Sequence, residues 1–371
     1  MRSEQTAYLE RLDHLRLLAA ALVVCFHAFH RHVGTLRPDN PLLSLIDEGH
    51  TGIGLFMVIS GFIFAVISHG ARIDYLGFLR NRVIRIYPLF LFGVFLTLTI
   101  STYNEHRNYG FATFLEWVIP FRASTVSDST HFVQLWTIWV EFQFYLIFPF
   151  LKVFGERYGA RYLWGLILLL IAIRAAIFVL YGSVRFVAYE SIFGRMDQFL
   201  IGMLAARVWL ARPARFANPL HLLAAAFAVL VLIHWFNRQG GHVRMDAAWW
   251  IVWTTAEGLA WAWVLLAWLG CRWRAPAPLE AALARLGAMS FSVYVMHNFV
   301  LAVIDSQIGV LAFSADPVRA AALNAVLVAL PLTLLAAWPT YALIERPFLA
   351  LRKRYIRASP GLAQSPEKVG G

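Results

Sequence analysis

Apolar runs of about 20 residues recur along this chain, and no other feature of the sequence constrains its fold so strongly. A run of that length spans a bilayer as an α-helix, whereas a soluble domain has no use for many of them. Of the 371 residues, 60% are hydrophobic and 14% are charged. We therefore predict an all-α protein, a polytopic transmembrane bundle of about ten spans, over residues 15–33, 51–69, 87–104, 132–151, 162–181, 187–206, 218–236, 248–270, 287–304 and 320–344.

Basic residues are distributed unevenly between the segments that join these runs. Of the 32 Lys and Arg residues, 22 fall in alternate segments that include both termini, and 8 fall in the others. Such an imbalance marks the cytoplasmic side, so both termini are predicted to be cytoplasmic. Topology and lipid headgroups then account for the net charge of +11, and the expected partner is a lipid bilayer and not a nucleic acid.

A single membrane-embedded domain is predicted for residues 1–351. Residues 352–371 open with RKRY and continue with Pro, Gly and Ser, which is typical of a basic, disordered cytoplasmic tail. The sequence has no internal repeat, metal-ligand spacing or glycine-rich phosphate loop. No metal cofactor is expected from it.

Arg16 and His27 lie eleven residues apart on the first apolar run, LRLLAAALVVCFHAFH. In an α-helix that spacing puts both side chains on one face, about 16 Å apart along the axis. An ionisable group within a membrane span is costly and points to a function or a partner. Imidazole can take and return a proton near neutral pH, so His27 is a candidate general base. The alternative is that it donates a hydrogen bond to a backbone carbonyl on an adjacent helix.

Arg80, Arg82 and Arg85 lie in FLRNRVIRIYP, before the third run and on the predicted cytoplasmic side. Guanidinium groups there are suited to bidentate phosphate binding. The alternative is that they only set the topology of a short loop.

Other intramembrane polar groups are candidates for a supporting role. Glu141 lies mid-span with Tyr145 one turn later, and it either neutralises Arg174 or Arg195 or orients His27 or the acceptor. Arg195 and Gln198, with Asp197 between them, form a structural lock or take part directly. His297 is more typical of a packing, hydrogen-bonding histidine than of a catalyst. The glycines of HTGIGLFMVISGFIF indicate close helix approach.

These blocks, in this order from about residue 12 to 348, resemble bacterial acyltransferase family 3, integral membrane proteins that acylate cell-surface sugars and other molecules. The Arg–ten residues–His arrangement is the family signature, carried here by Arg16 and His27. RNRVIRIYP resembles its basic motif and WTIWVEFQFY its Glu-x-x-Phe-Tyr block. GIGLFMVISGF, RMDQFLIGM, SVYVMHNF and LIERP are similar to further family blocks.

The resemblance implies an enzyme of the bacterial cytoplasmic (inner) membrane. It would move an acyl group, in the first instance acetyl, from acetyl-CoA or another acyl-CoA to a hydroxyl of a lipid-linked or exported saccharide. Arg16, Arg80, Arg82 and Arg85 would then hold the phosphates of the donor, and His27, aided by Glu141, would act at the thioester. Tyr145, Arg195, Gln198 and His297 would support the site. The rival mechanism is a covalent acyl-histidine.

Three positions depart from the family pattern: Gly54 stands where Asp is common, Asn81 interrupts paired arginines so that Arg80 would substitute, and Trp139 replaces a small residue. An esterase-like periplasmic domain carried by some relatives is not in this sequence, so we expect the chain to act alone or with a separate periplasmic or export partner. Two other functions stay open. One is a transporter or flippase of a glycan or acyl precursor, and the other is a structural subunit of an export complex.

Overall fold

The computed structural model describes residues 10–34, 38–104, 111–119 and 136–358, and it is almost entirely helical. A two-stranded sheet accompanies the helices. In chain order the helices are α1 Glu10–Val33, α2 Pro41–Asp47, α3 Gly52–Ile67, α4 Tyr75–Asn104, α5 Phe111–Val118, α6 Trp136–Tyr158, α7 Ala160–Tyr181, α8 Arg185–Glu190, α9 Ile192–Ala211, α10 Pro219–Arg238, α11 Trp250–Gly270, α12 Ala277–Ala288, α13 Ser290–Gln307, α14 Pro317–Asn324, α15 Leu330–Thr340 and α16 Arg346–Leu349.

The predicted fold class is confirmed, and the span count is slightly lower than expected. Eight helices in the described part of the chain are long and apolar enough to cross a membrane, when α14 to α16 and the segments between them are counted as one continuous helix over Pro317–Leu349. The number is nine if α12 and α13, bent by 65°, form one span. The predicted sixth span, α9, fails this test because Arg195, Asp197 and Arg207 interrupt its apolar sequence. The predicted ninth span, α13, passes only together with α12. The start of the predicted fourth span, residues 132–135, lies outside the described residues.

Two glycines bring α3 and α9 into backbone contact. A Cβ on Gly61 would lie 2.0 Å from the carbonyl oxygen of Phe199, and one on Gly202 would lie 2.2 Å from that of Val58. No larger residue fits at either position, which confirms close helix approach as the use of the glycine-rich block. α9 is thereby fixed in the centre of the bundle, where its charged side chains must find partners inside the protein.

The first residues after the last span contact the rest of the bundle. Strand β2, Ile356–Ala358, pairs antiparallel with β1, Ala71–Ile73. The side chain of Asn81 forms two hydrogen bonds with the backbone of Lys353: Nδ2 donates to the carbonyl oxygen at 2.6 Å, and Oδ1 accepts from the N–H at 3.1 Å. The part of the predicted tail that the structure describes, residues 352–358, thus packs against the bundle. Residues 359–371 lie outside the described part of the chain.

Candidate active site

Helix α1 carries two groups of ionisable side chains, one near each end. We call the end of the bundle where α1 begins the arginine end, because Arg16, Arg82 and Arg85 lie there. The end where α1 finishes is the histidine end, with His27 and His30. Since α1 is one continuous helix of 24 residues, Arg16 and His27 are separated by about 16 Å along its axis, as the sequence predicts.

His27 is paired with His297 of α13. The Nε2 atom of His297 lies 3.3 Å from Nδ1 of His27, and the two ring centroids are 4.8 Å apart. His27 Nδ1 also lies 2.9 Å from the Val23 carbonyl oxygen, and His297 Nδ1 lies 2.6 Å from that of Tyr294. A carbonyl oxygen accepts a hydrogen bond and cannot donate one, so each ring carries its proton on the Nδ1 atom that faces the carbonyl. His297 Nε2 is then an acceptor facing His27, and His27 Nε2 is left with its lone pair.

That pairing agrees with the prediction that His297 is a packing, hydrogen-bonding histidine, and it adds the partner. His297 is fully buried and helps to fix the tautomer of His27. His27 Nδ1 does donate to a backbone carbonyl, as the alternative for His27 predicts, but the acceptor is Val23 of α1 itself and not a residue of an adjacent helix. Both features leave Nε2 of His27 free to act as a base.

At the arginine end, Arg82 is buried without an acidic partner in the described residues. Its guanidinium carbon lies 4.9 Å from the centre of the Phe64 ring, 5.5 Å from that of Phe78 and 5.7 Å from that of Tyr145. Aromatic faces attract a guanidinium but do not neutralise it. Arg82 therefore presents an uncompensated positive charge, and its buried Nε atom has no hydrogen-bond acceptor in the described chain.

Two neighbouring arginines are compensated. Arg85 Nη1 lies 3.3 Å from Glu345, whose carboxylate also accepts a 2.7 Å hydrogen bond from Ser292. Arg16 Nη1 lies 2.6 Å from Asp13, one turn earlier on α1. The position of Arg16 relative to Glu345 is close enough for their charges to interact. Three of the four arginines predicted to bind the donor, Arg16, Arg82 and Arg85, thus lie at the same end of the bundle.

Arg352 joins this group, and sequence analysis missed it. Partial desolvation lowers the pKa of its guanidinium to about 10, and the positive charges of Arg85 and Arg82 act in the same direction. Arg352 remains charged at neutral pH, and it has no ion pair with an acidic residue among those described. A run of basic residues after a last span is so common as a topology signal that the sequence offered no reason to single it out.

Arg80, in contrast, does not face the group. It is exposed, and its Nη2 atom donates to the Leu351 carbonyl oxygen at 3.4 Å. This arrangement does not support the hypothesis that Arg80 takes the place of the arginine that the family pattern has at position 81. Asn81 instead holds the C-terminal segment.

Glu141 has partners other than those considered from the sequence. It accepts hydrogen bonds from Ser60, at 3.2 Å, and from Tyr145. It does not neutralise Arg174, which binds Asp197 at 2.9 Å, or Arg195, which binds Glu257 at 3.2 Å. The Tyr145 ring centre lies 5.7 Å from the guanidinium carbon of Arg82, and Tyr145 donates to Glu141, so both residues border the arginine end. The described contacts of His27 do not include Glu141.

Arg195 and Gln198 form a structural lock with Glu257, a residue that sequence analysis missed. Gln198 Nε2 donates to Glu257 Oε2 at 2.7 Å, and Arg195 donates to Gln198 Oε1 at 3.3 Å and to the Tyr189 carbonyl oxygen at 2.9 Å. All these side chains are buried. A carboxylate within the span TTAEGLAWAW was a visible signal, because such a group requires a partner.

Glu257 also explains the departure at Gly54. A Cβ on Gly54 would lie 2.9 Å from Glu257 Oε2 and 3.0 Å from Gln198 Nε2. The carboxylate of α11 thus occupies the space beside α3 in which a side chain at position 54 would stand. The third departure, Trp139, is buried against Phe90 with ring centroids 5.0 Å apart.

Comparison with known proteins assigns the family. A family model described as "Acyltransferase domain" matches residues 9–342, which is most of the chain. The chain belongs to this acyltransferase family. It is 23% identical over 336 residues to "Putative peptidoglycan O-acetyltransferase YrhL" of Bacillus subtilis (strain 168), a match that covers 80% of this chain and 49% of that protein. The chain therefore spans about half the length of this curated relative. No solved structure matches it significantly.

Membership agrees with the placement of the family motifs. The acyltransferase-family member described here is a multi-pass membrane protein, and its signature residues lie at two ends of one helix. The family match covers both ends and the spans between them.

Proposed function

We propose that this protein is a membrane-bound O-acyltransferase of the bacterial cytoplasmic membrane. It would transfer an acyl group, in the first instance acetyl, from cytoplasmic acyl-CoA to a hydroxyl of a lipid-linked or exported saccharide. The family match and the name of the Bacillus relative support this class of reaction. The observation that carries the proposal is that one helix joins an arginine group to a histidine with a free ring nitrogen.

The arginine end suits the donor. Arg82 and Arg352 lack acidic partners in the described chain, and Arg16 and Arg85 lie beside them. Phosphate oxygens are strong acceptors for guanidinium groups, and the pyrophosphate and 3′-phosphate of coenzyme A would supply the missing negative charge. An extended pantetheine arm directed along α1 would place the thioester near His27, about 16 Å from Arg16.

The histidine end suits the chemistry. His27 Nε2 would remove the proton from the acceptor hydroxyl as its oxygen attacks the thioester carbonyl. A C–O bond forms, the C–S bond breaks, and the imidazolium returns its proton to the departing thiolate. Charge that develops on His27 is accommodated at Nδ1, which faces the Val23 carbonyl oxygen and the lone pair of His297 Nε2.

Transfer can be measured with the purified full-length chain in lipid nanodiscs, radiolabelled acetyl-CoA and a muropeptide acceptor. His27→Ala is expected to lower the rate of acetylated product formation by about 10²- to 10⁴-fold, because a positioned base is removed. His69→Ala is a matched control, since the His69 side chain is 60% exposed in a loop at the arginine end. Equal rates for wild type and His27→Ala would contradict the proposal, as would the absence of turnover with any saccharide acceptor.

Donor binding is tested separately by Arg82→Gln. Loss of a charge-assisted phosphate contact is expected to raise the KM for acetyl-CoA about tenfold or more, with a smaller effect on kcat. Arg244→Gln is the control, because Arg244 is exposed at the histidine end. An unchanged KM would remove Arg82 from the donor site. Rapid-quench trapping without acceptor distinguishes the mechanisms: labelled protein indicates an acyl-histidine, and its absence indicates direct transfer.

A further inference from the structure

Three side chains at the histidine end converge on one point although they are distant in sequence. The Glu48 Oε2 atom lies 2.8 Å from Nε2 of His50 and 3.0 Å from Nδ1 of His242. All three candidate ligand atoms lie within 4.8 Å of one another. Glu48 and His50 are buried, and the His242 side chain is 16% exposed. From this convergence we propose that Glu48, His50 and His242 bind a transition-metal ion, with Zn²⁺ as the best match.

The ligand types select the class of metal. Two imidazole nitrogens and one carboxylate oxygen form a ligand set that Zn²⁺ uses commonly, whereas Ca²⁺ and Mg²⁺ prefer oxygen ligands alone. In tetrahedral zinc sites neighbouring ligand atoms are about 3.4 Å apart, as follows from metal–ligand distances of about 2.1 Å. The two observed carboxylate–imidazole separations, 2.8 and 3.0 Å, need to widen by about 0.6 and about 0.4 Å, and the two imidazole nitrogens lie within 4.8 Å of each other.

The carboxylate is positioned by groups outside the ligand set. Asn237 Nδ2 donates to Glu48 Oε1 at 3.0 Å, which leaves Oε2 to face both imidazoles. Gly241 has a φ of +55° and lies beside Glu48. Only glycine fits at this position, since a Cβ would lie 1.8 Å from Glu48 Oε1. Support of a ligating carboxylate by hydrogen bonds is typical of metal sites.

The site would join two connections at the histidine end. Glu48 and His50 lie in the connection between α2 and α3, and His242 lies in the connection between α10 and α11. The Phe26 ring contacts the rings of both histidine ligands, with centroid distances of 5.2 Å in each case, and that of His27 at 5.0 Å. A bound metal would therefore fix the wall beside His27 without touching it.

Metal content is the direct test. The full-length protein is purified with a histidine-free affinity tag, equilibrated with Zn²⁺, passed through a desalting column and measured by mass spectrometry of the metal. We expect about one Zn²⁺ per wild-type chain and at least a fivefold lower content in Glu48→Gln and in His242→Ala. His234→Gln is the matched control, because His234 lies at the same end but binds Ser44, at 2.9 Å, and is expected to keep the wild-type metal content.

A second measurement needs no variant and so does not depend on the variants folding. X-ray absorption of the Zn²⁺-loaded wild-type protein is expected to show two imidazole ligands and oxygen in the first coordination shell. Wild-type protein that retains no Zn²⁺ would overturn the proposal. A shell that contains sulfur or lacks imidazole would do the same, as would equal retention by the wild type and by folded Glu48→Gln and His242→Ala.

Discussion

At the scale of single residues, the orientation of one histidine carries the proposed chemistry. His27 Nδ1 is held by the Val23 carbonyl oxygen and by Nε2 of His297, and the second nitrogen is left free. The sequence predicted His27 from its depth in an apolar run, but the partner comes from α13, 270 positions later. Nothing in the local pattern around His297 could indicate that contact.

His297→Asn tests the pairing. Loss of the acceptor that faces His27 Nδ1 is expected to lower kcat for acetyl transfer about tenfold, as one hydrogen bond is worth about 1.4 kcal/mol. The pH profile of kcat should move while the KM for acetyl-CoA stays unchanged, because the proposed donor phosphates bind at the other end of α1. A higher KM with an unchanged pH profile would contradict this role.

Gly54 and Glu257 give a second test at this scale. Gly54→Asp places a carboxylate against Glu257, and Glu257→Ala leaves Arg195 buried without its partner; each is expected to destabilise the protein by about 3–5 kcal/mol. The double variant restores one carboxylate for Arg195, so its unfolding temperature should exceed that of either single variant. Thermal unfolding in detergent measures this, and an additive loss in the double variant would show that position 54 cannot replace Glu257.

At the scale of elements, buried polar contacts decide which helices touch. α9 is bound to α3 by glycine contacts, to α7 by Arg174 and Asp197, and to α11 by Arg195 and Glu257. Its charges make it a weak candidate span by composition, and the same charges explain its central position. A helix of this kind is stable in a membrane only when neighbouring helices satisfy its polar groups.

Asn81 links two elements at the arginine end, and its removal should release one of them. Asn81→Ala deletes both hydrogen bonds to Lys353 and is expected to cost about 1–3 kcal/mol locally. Faster amide hydrogen exchange over residues 353–358 is the readout, with the β1–β2 pairing most affected. Arg157→Ala is the control, because Arg157 is exposed and its guanidinium lies over the ring of Tyr158 and not against the C-terminal segment. Unchanged exchange in Asn81→Ala would mean that strand pairing alone holds the segment.

At the scale of the whole molecule, the distribution of charge predicts the topology. The arginine end collects the basic segments, so it is expected to face the cytoplasm and the histidine end the opposite side. Reporter fusions after residue 358 should be active only with a cytoplasmic reporter, and fusions within residues 239–249 only with an exported one. The reverse pattern would place the proposed donor site on the side that lacks acyl-CoA.

The sequence by itself determined the fold class, most of the spans and the position of the two groups on α1, because those features repeat with the period of one helix and the thickness of a bilayer. It also identified Arg82, Arg85 and Glu141 as intramembrane or interfacial polar groups that need partners. The basic residues around Arg82 and Arg85 predicted that these two arginines lie on the cytoplasmic side.

Only the tertiary structure decided how those groups pair. Within the described part of the chain, Glu141 bonds to Ser60 and Tyr145 and to no arginine. Glu257 fills the space beside Gly54, and His242 approaches Glu48 across 194 positions. Such pairings depend on which helices pack together, and these are often far apart in the sequence. Spans of similar hydropathy could be arranged in many ways, so the sequence of one span does not identify its neighbours. Which helices become neighbours is decided by close contacts and buried charges that no single segment contains.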